Sequence, residues 1–453
     1  MRSWRSIRGA IVGAAWLSAG LCACEIAPDG PVSESALLIT IDTWRGDCLG
    51  ASGHPSLRTP HLDRFFRGGA QFAGAFSAIP TTLASHTSML TGLWPPQHGI
   101  PRNGWVLPED ITSVAEILRD GGFRTGAFVS SAALDHEFQL GQGFDEYSSN
   151  MILPENLEQA WRPAGATIER AMTWWDEAAG RRFLWVHFFE PHFPYDPEPR
   201  DLAPYATGYV GEASGAMDYL YAMWANPEIL TEDAYWHILS LYYGEITGLD
   251  RKIGEFLRTV SEDSTLSIVL TSDHGESLGE EGLFFKHGPA TSPAELHVPL
   301  VVRGPGVEPS VSGALVSTID VARTILARLN VGADLPADSR DLLRSGPERE
   351  VFGVASMPWN FENESGYANA EKQRILRNER FAYRETPYAN EQSVFDRVAD
   401  PGELQPLDPS TTPPSDEMAD RLTTWIDDAR VVPAPSEINP RLRDQLDDLG
   451  YVE

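Results

Sequence analysis

The sequence predicts an α/β fold in which a mostly parallel central sheet is covered by helices on both faces. Three observations support this: several apolar runs are long enough for buried strands, helical patterns lie between them, and polar residues follow some runs directly. Strands that are buried on both faces read as continuous apolar runs, not as alternating ones. Alternation of such strands with helices is typical of a parallel sheet with helical layers.

Each element is predicted from its local pattern. Five apolar runs are predicted as buried parallel strands: Ala36–Asp42, Thr125–Ser130, Phe183–Phe189, Leu266–Asp273 and Val298–Pro305. Three stretches with helical spacing of apolar residues are predicted as helices: Ile111–Gly122, Ala166–Gly180 and Gly244–Val260. Two stretches rich in turn-forming residues are predicted as loops, the first as an insertion over the functional face: residues 194–235 and residues 400–416.

The N-terminus is predicted to be a targeting segment. Three arginines within the first eight residues precede an uncharged apolar run, Gly9–Leu21, which is shorter than the roughly 20 residues of a membrane span. The run ends in "LCAC", residues 21–24, which resembles a bacterial lipobox. That resemblance implies cleavage before Cys24 and lipid attachment to its sulfur, and so a lipid-anchored protein of the bacterial cell envelope that faces the periplasm or the exterior. An ordinary signal peptide is the alternative.

Charge and cysteine content limit the possible partners. A formal net charge of −30 makes nucleic acid an unsuitable partner, because binding it requires a phosphate-neutralising surface. An anionic substrate would need a local positive site, most simply a metal ion. Processing at Cys24 would leave Cys48 as the one free thiol of the chain, so no intramolecular disulfide is expected.

Polar residues stand where two predicted strands end. Asp42 closes the first strand, and Asp273 and His274 close a later one. Ligands of open α/β sheets bind at the carboxyl ends of the strands, and carboxylates with an imidazole are ligands for a divalent cation. A strand-ending aspartate often serves only as a helix cap, which is the alternative for each residue taken alone.

Several separate stretches together resemble the sulfatase family of the alkaline phosphatase superfamily. They include "LLITIDTWRGDCLGASG", "PTTLASHTSMLTGLWPPQHG", "FEPHFPY", "VLTSDHGESLGEEG" and "HVPLVVRGPG". The closing "LGYVE" resembles the end of a bacterial sub-branch. The resemblance implies an alkaline-phosphatase-like α/β/α sandwich with a smaller C-terminal α+β region, and a metal-dependent hydrolase of sulfate or phosphate esters. The predicted organisation is a signal peptide (1–23), a lipid-attached linker (24–35), a catalytic domain (36–345) and a C-terminal subdomain (346–453).

The stretch "PTTLASHTSMLTG", residues 80–92, is predicted as a turn that leads into a helix ending at Gly92, and it departs from the family signature. Sulfatases typically have Cys-x-Pro-x-Arg here, and the Cys is oxidised to formylglycine. Thr82 stands at the Cys position, and Ala84 and His86 stand at the Pro and Arg positions. The resemblance implies that Thr82 is a metal-bound nucleophile, since coordination lowers the pKa of a hydroxyl. Helix capping is the alternative for the neighbouring hydroxyls of Thr81, Ser85 and Thr87.

The resemblance also implies one divalent metal ion. Its predicted ligands are Asp42, Thr82, Asp273 and His274. Sulfatases usually carry a second Asp where Thr43 stands, and many carry Asn at the position of His274. Loss of a carboxylate and gain of an imidazole shift the preference away from Ca²⁺, toward Mn²⁺ or Zn²⁺, with Mg²⁺ left open.

The remaining predicted catalytic residues are His86, His192, Lys286 and His287. His192 matches the substrate-gripping His of the family, and Lys286 with His287 matches the region that holds a sulfate-binding Lys; each of the three is a candidate acid for the leaving group. A structural turn His and a solvated Lys are the alternatives. Asn103 is a weaker substrate-contact candidate. The family's "GKWHLG" segment is absent, so sulfate and phosphate esters both stay open, and a phosphoryl-group transferase or a non-catalytic binding protein are the alternative functions.

Overall fold

The computed structural model describes residues 33–151, 160–362, 365–435 and 438–451. The predicted signal peptide and almost all of the predicted linker lie outside these ranges, so processing, the anchor at Cys24 and the envelope localisation stay predictions. The boundary between residues 345 and 346 also stays a prediction. Within the described ranges, none of the helices combines the length and the apolar character that a membrane crossing requires.

The described chain contains strands of seven or eight residues as well as short ones. In chain order they are β1 Ser35–Ile41, β2 Ala70–Phe76, β3 Arg124–Phe128, β4 Glu146–Ser148, β5 Arg182–Phe188, β6 Leu266–Ser272, β7 Ser277–Leu278, β8 Phe284–Lys286, β9 Leu300–Arg303, β10 Ser310–Ser317, β11 Val351–Val354, β12 Arg374–Arg377, β13 Phe381–Thr386 and β14 Glu391–Asp396.

Eight of these strands form one sheet in the order β10-β2-β9-β6-β1-β5-β3-β4. Seven strands run in one direction, and β9 runs antiparallel to both of its neighbours, β2 and β6. The α/β fold class with a mostly parallel central sheet is therefore confirmed. The parallel orientation predicted for Val298–Pro305 is wrong, because a fully buried apolar run fits either direction.

The helices cover both faces of this sheet. In chain order they are α1 Pro60–Arg67, α2 Thr82–Thr91, α3 Pro95–His98, α4 Val114–Asp120, α5 Ala164–Glu177, α6 Pro199–Leu202, α7 Met217–Ala225, α8 Glu232–Val260, α9 Pro293–Leu296, α10 Asp320–Arg328, α11 Ser415–Asp427 and α12 Pro440–Asp448. The three predicted helices are present as α4, α5 and α8. Helix α8 begins twelve residues earlier than expected, and the predicted loop-rich insertion carries α6 and α7.

Side chains of β1 alternate between two hydrophobic cores. Leu38 packs with α2, α4 and α10 on one face, whereas Leu37 and Ile39 pack with α1, α5 and α8 on the other. Because the strand is buried on both faces, its sequence is apolar without alternation, as observed in "ALLITI". This three-layer packing fixes the carboxyl ends of β1, β5 and β6 side by side.

A second, antiparallel sheet, β11-β12-β13-β14, lies in the C-terminal region. Arg377 of β12 connects it to the main body, since its guanidinium donates to the Thr291 carbonyl at 2.6 Å and lies 4.4 Å from the Phe76 ring centre. The same guanidinium is held by Glu403 through two hydrogen bonds of 2.6 and 2.7 Å, and both residues are buried.

Replacing Arg377 with alanine is expected to lower the free energy of unfolding by about 3–5 kcal/mol, because it removes both hydrogen bonds to the buried Glu403 carboxylate and leaves it only the 3.8 Å approach of Arg397. Denaturant unfolding measures the change. The matched control is Arg380→Ala, whose side chain is two-thirds exposed and whose pair with Asp396 is expected to contribute at most about 1 kcal/mol. Equal losses in the two variants would contradict the assigned role of Arg377.

Candidate active site

Asp42 and Asp273 lie next to each other because their strands are neighbours in the sheet. Ile41 of β1 is in register with Ser272 of β6, so the residues that follow both strands meet at the carboxyl edge. The backbone N–H of Asp42 donates to the Phe188 carbonyl at 2.9 Å, which holds it beside the end of β5 as well. The sequence prediction that these carboxylates meet therefore agrees with the geometry.

Hydrogen bonds orient the Asp273 and His274 side chains. Asp273 Oδ1 accepts from the backbone N–H groups of Thr43 and His274 at 3.2 and 2.7 Å, so Oδ2 is left facing the site. His274 Nδ1 lies 2.9 Å from the Gly275 carbonyl and must carry the proton, because a carbonyl only accepts. The lone pair of His274 is consequently on Nε2, 3.6 Å from Asp273 Oδ2 and 3.8 Å from Asp42 Oδ1.

These three side chains form a group that suits a cation. Ligand atoms of Asp42, Asp273 and His274 lie within 4.8 Å of one another, and all three residues are fully buried. Both Asp42 oxygens, Asp273 Oδ2 and His274 Nε2 have no hydrogen-bond partner among the described residues. Burial of two carboxylates without a counter-charge is unfavourable; it raises the pKa of Asp42 to about 7 and also raises the pKa of Asp273. A divalent cation would satisfy all four orphan atoms at once.

Thr82 is the first residue of α2, at the end of the loop that leads from β2. The helix begins there because Asn103 Oδ1 accepts from the Leu83 N–H at 2.8 Å, which replaces the usual side-chain cap. Thr81 makes no capping bond, so the capping interpretation of Thr81 is wrong. The helix ends at Gly92 with φ 73°, a left-handed conformation that favours glycine, as the sequence predicted.

Ser85 and Thr87 are not helix caps either. The Ser85 hydroxyl donates to the Asp273 carbonyl at 2.7 Å, and the Thr87 hydroxyl donates to the Leu83 carbonyl at 2.8 Å. Ser85 therefore joins α2 to the end of β6, and Thr87 bonds within its own helix. Thr82 is fully buried, and its Oγ1 lies 3.5 Å from the Tyr451 hydroxyl.

His86 has both ring nitrogens occupied. Nδ1 donates to the Thr82 carbonyl at 2.7 Å, and Nε2 accepts from the Thr40 hydroxyl at 2.9 Å, which in turn accepts from the Trp185 indole. Burial lowers the pKa of His86 to about 3, so the ring is neutral. Its predicted catalytic role stays a prediction, and this geometry favours a role in positioning the first turn of α2.

His187 of β5 is a site residue that the sequence analysis missed. The Ser130 N–H donates to His187 Nδ1 at 3.3 Å, so the ring proton is on Nε2, which lies 3.5 Å from Asp42 Oδ2. His86, His187 and Asp273 form a second group of possible ligands. Because the nitrogens of both histidines are occupied or protonated, this group suits a cation less well than Asp42, Asp273 and His274 do.

His192 and His287 border the same site. Their ring centres are 5.0 Å apart, and the His287 ring is 4.5 Å from that of His274. His192 Nδ1 donates to the Phe193 carbonyl, so Nε2 accepts from the Tyr451 hydroxyl at 2.6 Å. Burial lowers the pKa of His192 to about 3 and lowers the pKa of His287 as well.

Glu276 lies beside a site histidine, whereas Lys286 lies beside Trp224. His287 Nδ1 lies 3.2 Å from the buried carboxyl of Glu276, a partner that the sequence analysis did not assign. Lys286 is half-buried, with its ammonium 5.4 Å from the Trp224 ring centre. Of the two neighbouring candidates, His287 is thus the one that packs against the other site histidines.

Comparison with known proteins identifies the family. The model of the family described as Sulfatase matches residues 35–331. The ulvan-active sulfatase of Formosa agariphila is 26% identical over 82% of this chain and 76% of its own length. The multifunctional alkaline phosphatase superfamily protein PehA of Trinickia caryophylli is 26% identical over 68% of this chain and 76% of its own length.

Solved structures share the fold. The phosphonate monoester hydrolase of Agrobacterium radiobacter has a TM-score of 0.68 at 21% identity and covers 86% of this chain and 95% of its own. A structure in complex with its substrate D-glucosamine-2-N,6-O-disulfate has a TM-score of 0.71 at 16% identity, over 90% of this chain and 100% of its own.

The chain belongs to the sulfatase family, within the alkaline phosphatase superfamily. Its members hydrolyse sulfuric or phosphoric esters and typically bind a divalent metal ion. A buried His and Asp cluster of the kind such an ion requires is present here.

Proposed function

We propose that this protein is a divalent-metal-dependent hydrolase of sulfate or phosphate esters in which Thr82 Oγ1 is the nucleophile. The observation that carries the proposal is the buried group of Asp42, Asp273 and His274, whose oxygens and nitrogen without hydrogen-bond partners among the described residues would suit a cation. The family's formylglycine Cys is replaced by Thr82, which keeps a hydroxyl at the start of α2.

The proposed roles divide among the chain's own residues. Asp42, Asp273 and His274 would hold the cation, which would supply Lewis acidity that lowers the pKa of a nearby hydroxyl and offsets negative charge on the ester. The N-terminus of α2 supports the non-bridging oxygens of the substrate, together with Asn103 Nδ2, which is buried and has no hydrogen-bond partner in the described part of the chain.

The leaving oxygen requires a proton, and two histidines border the proposed position. Attack by Thr82 Oγ1 on sulfur or phosphorus breaks the ester bond. The proton of the Thr82 hydroxyl passes to His192 Nε2, which carries a lone pair, and His287 supplies a proton to the departing oxygen. Water then hydrolyses the sulfo- or phospho-threonine and regenerates the hydroxyl. The hydrogen bond between His287 and Glu276 fixes the orientation of that ring.

A substrate panel tests the proposal. The full chain, loaded in turn with Mn²⁺, Zn²⁺, Ca²⁺ and Mg²⁺, is assayed on 4-nitrophenyl sulfate, 4-nitrophenyl phosphate and bis(4-nitrophenyl) phosphate. We expect turnover of at least one ester that disappears with chelator and returns with metal. Absence of turnover under every condition would favour a non-catalytic binding protein, and transfer to an added alcohol in place of water would favour a transferase.

Asn103→Asp separates the structural role of Asn103 from its proposed substrate contact. Aspartate keeps the oxygen that accepts from the Leu83 N–H but removes the donor, so we expect kcat to fall about a hundredfold while that hydrogen bond is retained. Its buried charge is expected to lower the melting temperature. Asn103→Ala removes both groups. It is expected to show the same loss of kcat, and its free energy of unfolding is expected to fall by about 1 kcal/mol. A wild-type kcat for Asn103→Asp would exclude the donor role.

A further inference from the structure

We propose that Tyr451 controls substrate entry: its hydroxyl holds the position in front of Thr82 that an ester must take, and a substrate binds only by displacing it. Tyr451 is 369 positions from Thr82 in the chain, yet its Oη lies 3.5 Å from Thr82 Oγ1. Reacting atoms in productive complexes are about 3–3.5 Å apart, so this hydroxyl stands at the distance required of the sulfur or phosphorus.

Tyr451 occupies the hydrogen-bonding position of a site histidine. Because His192 Nδ1 donates to the Phe193 carbonyl, His192 Nε2 must accept, and Tyr451 Oη is its donor at 2.6 Å. The Tyr451 ring faces the rings of His192 and His287, with centres 5.8 and 6.2 Å away. Both histidines are therefore covered by this side chain.

Burial shows that the site is closed in this arrangement. Thr82 has no exposed surface, His192 is 1% exposed and Tyr451 is 7% exposed. An ester cannot reach Thr82 Oγ1 unless some covering group moves. Tyr451 is the covering group in direct contact with the Thr82 hydroxyl.

Helix α12 delivers Tyr451 to the site through a turn at Gly450. Leu442, Leu446 and Leu449 are buried in the main core and hold the helix in place. Gly450 follows with φ 75°, a left-handed conformation that turns the chain into the site. The Tyr451 N–H donates to the Leu446 carbonyl at 2.9 Å, and the Tyr221 hydroxyl donates to the Asp447 carbonyl at 3.1 Å. Rotation about Gly450 that breaks the bond from the Tyr451 N–H would withdraw Tyr451 without moving the leucines.

Removal of residues 450–453 tests the proposal, and its kinetic part rests on the proposed hydrolase activity. We expect KM for the smallest ester that is turned over to fall about tenfold. This factor corresponds to a full chain in which Tyr451 is withdrawn from Thr82 in about a tenth of the molecules. The change in kcat is expected to stay within about threefold. Tyr451→Phe keeps the ring but loses the bond to His192, so its KM is expected to lie between the two. Tyr388→Ala, a 40%-exposed tyrosine remote from these contacts, is the matched control.

Binding of inorganic phosphate to the metal-loaded protein gives a second measurement that needs no turnover. We expect calorimetry to show about tenfold tighter phosphate binding after truncation than in the full chain. Equal affinities would overturn the proposal. A kcat of Tyr451→Phe that falls more than tenfold at unchanged KM would also overturn it, and would make Tyr451 a proton relay between Thr82 and His192. If no variant turns over any ester, the proposed function fails while the phosphate titration still decides the role of Tyr451.

Discussion

Thr82→Ala is expected to reduce kcat by at least about a thousandfold on every ester that the wild-type protein hydrolyses, because the substitution removes the proposed nucleophile. Stability is expected to change little, since the one described polar contact of Thr82 Oγ1 is the 3.5 Å approach to Tyr451. Rapid quenching of the wild type with substrate is expected to give a sulfuryl or phosphoryl mass increase on the peptide that contains Thr82.

The neighbouring threonine provides a matched control. Thr81 is also buried, precedes α2 and makes no capping bond, so Thr81→Ala is expected to keep kcat within a few-fold of wild type. Thr82→Ser keeps a hydroxyl at the same position and is expected to keep measurable activity. If Thr82→Ala turns over every substrate as fast as the wild type, the nucleophile is another group.

The sequence predicted that Asp42, Asp273 and His274 would lie together, because parallel strands end at one edge; their role as metal ligands stays a prediction. An Asp after the first strand and an Asp–His pair after a later one needed only adjacent strands to converge, and β1 and β6 are in register up to Ile41 and Ser272. The start of α2 was predictable for a different reason: a turn followed by a helical run with a terminal Gly is a local pattern.

The parts that were missed depend on contacts that no local pattern specifies. His187 sits in an apolar strand, and only its position opposite Thr40 in the neighbouring strand places it beside Asp42. Strand β2, "AQFAGAF", is rich in small residues and lacks the long aliphatic run by which buried strands were recognised. The approach of Tyr451 to Thr82 joins positions that are 369 residues apart, which no local pattern specifies.

The role of His86 shows the limit of transferring a residue by alignment position alone. An Arg at that position would bring a cation toward the nucleophile, whereas the neutral imidazole of His86 bridges the Thr82 carbonyl and the Thr40 hydroxyl. A neutral ring at this position leaves positive charge beside the proposed nucleophile to the metal ion that we propose. Substitution of a proposed metal ligand is therefore the most informative second variant.

Asp42→Asn is expected to weaken metal binding by more than about a hundredfold, since loss of a direct ligand should exceed the 10–100-fold effect of losing an outer partner. Activity at a fixed metal concentration is expected to fall in parallel. Calorimetric titration with Mn²⁺ or Zn²⁺ measures the affinity. Asp47→Asn is the matched control, because Asp47 lies on the same loop, is half exposed and pairs with Arg45. Equal affinities of Asp42→Asn and the wild type would remove Asp42 from the ligand set.

Asp42→Asn also tests how the stability of the metal-free protein depends on pH. Burial raises the pKa of Asp42 to about 7, above its ordinary value of 3.8, so the folded metal-free protein binds a proton that the unfolded chain releases between those values. This contribution to stability is present at low pH and is lost as the pH rises through 7. Asparagine has no such proton, so between about pH 5 and pH 8 the melting temperature of chelator-treated Asp42→Asn is expected to fall less than that of chelator-treated wild type. Metal binding must release the proton, and wild-type affinity is therefore expected to increase over the same range. If the melting temperatures of the two proteins changed equally with pH, Asp42 would already be ionised without a cation, and another positive group would compensate its charge.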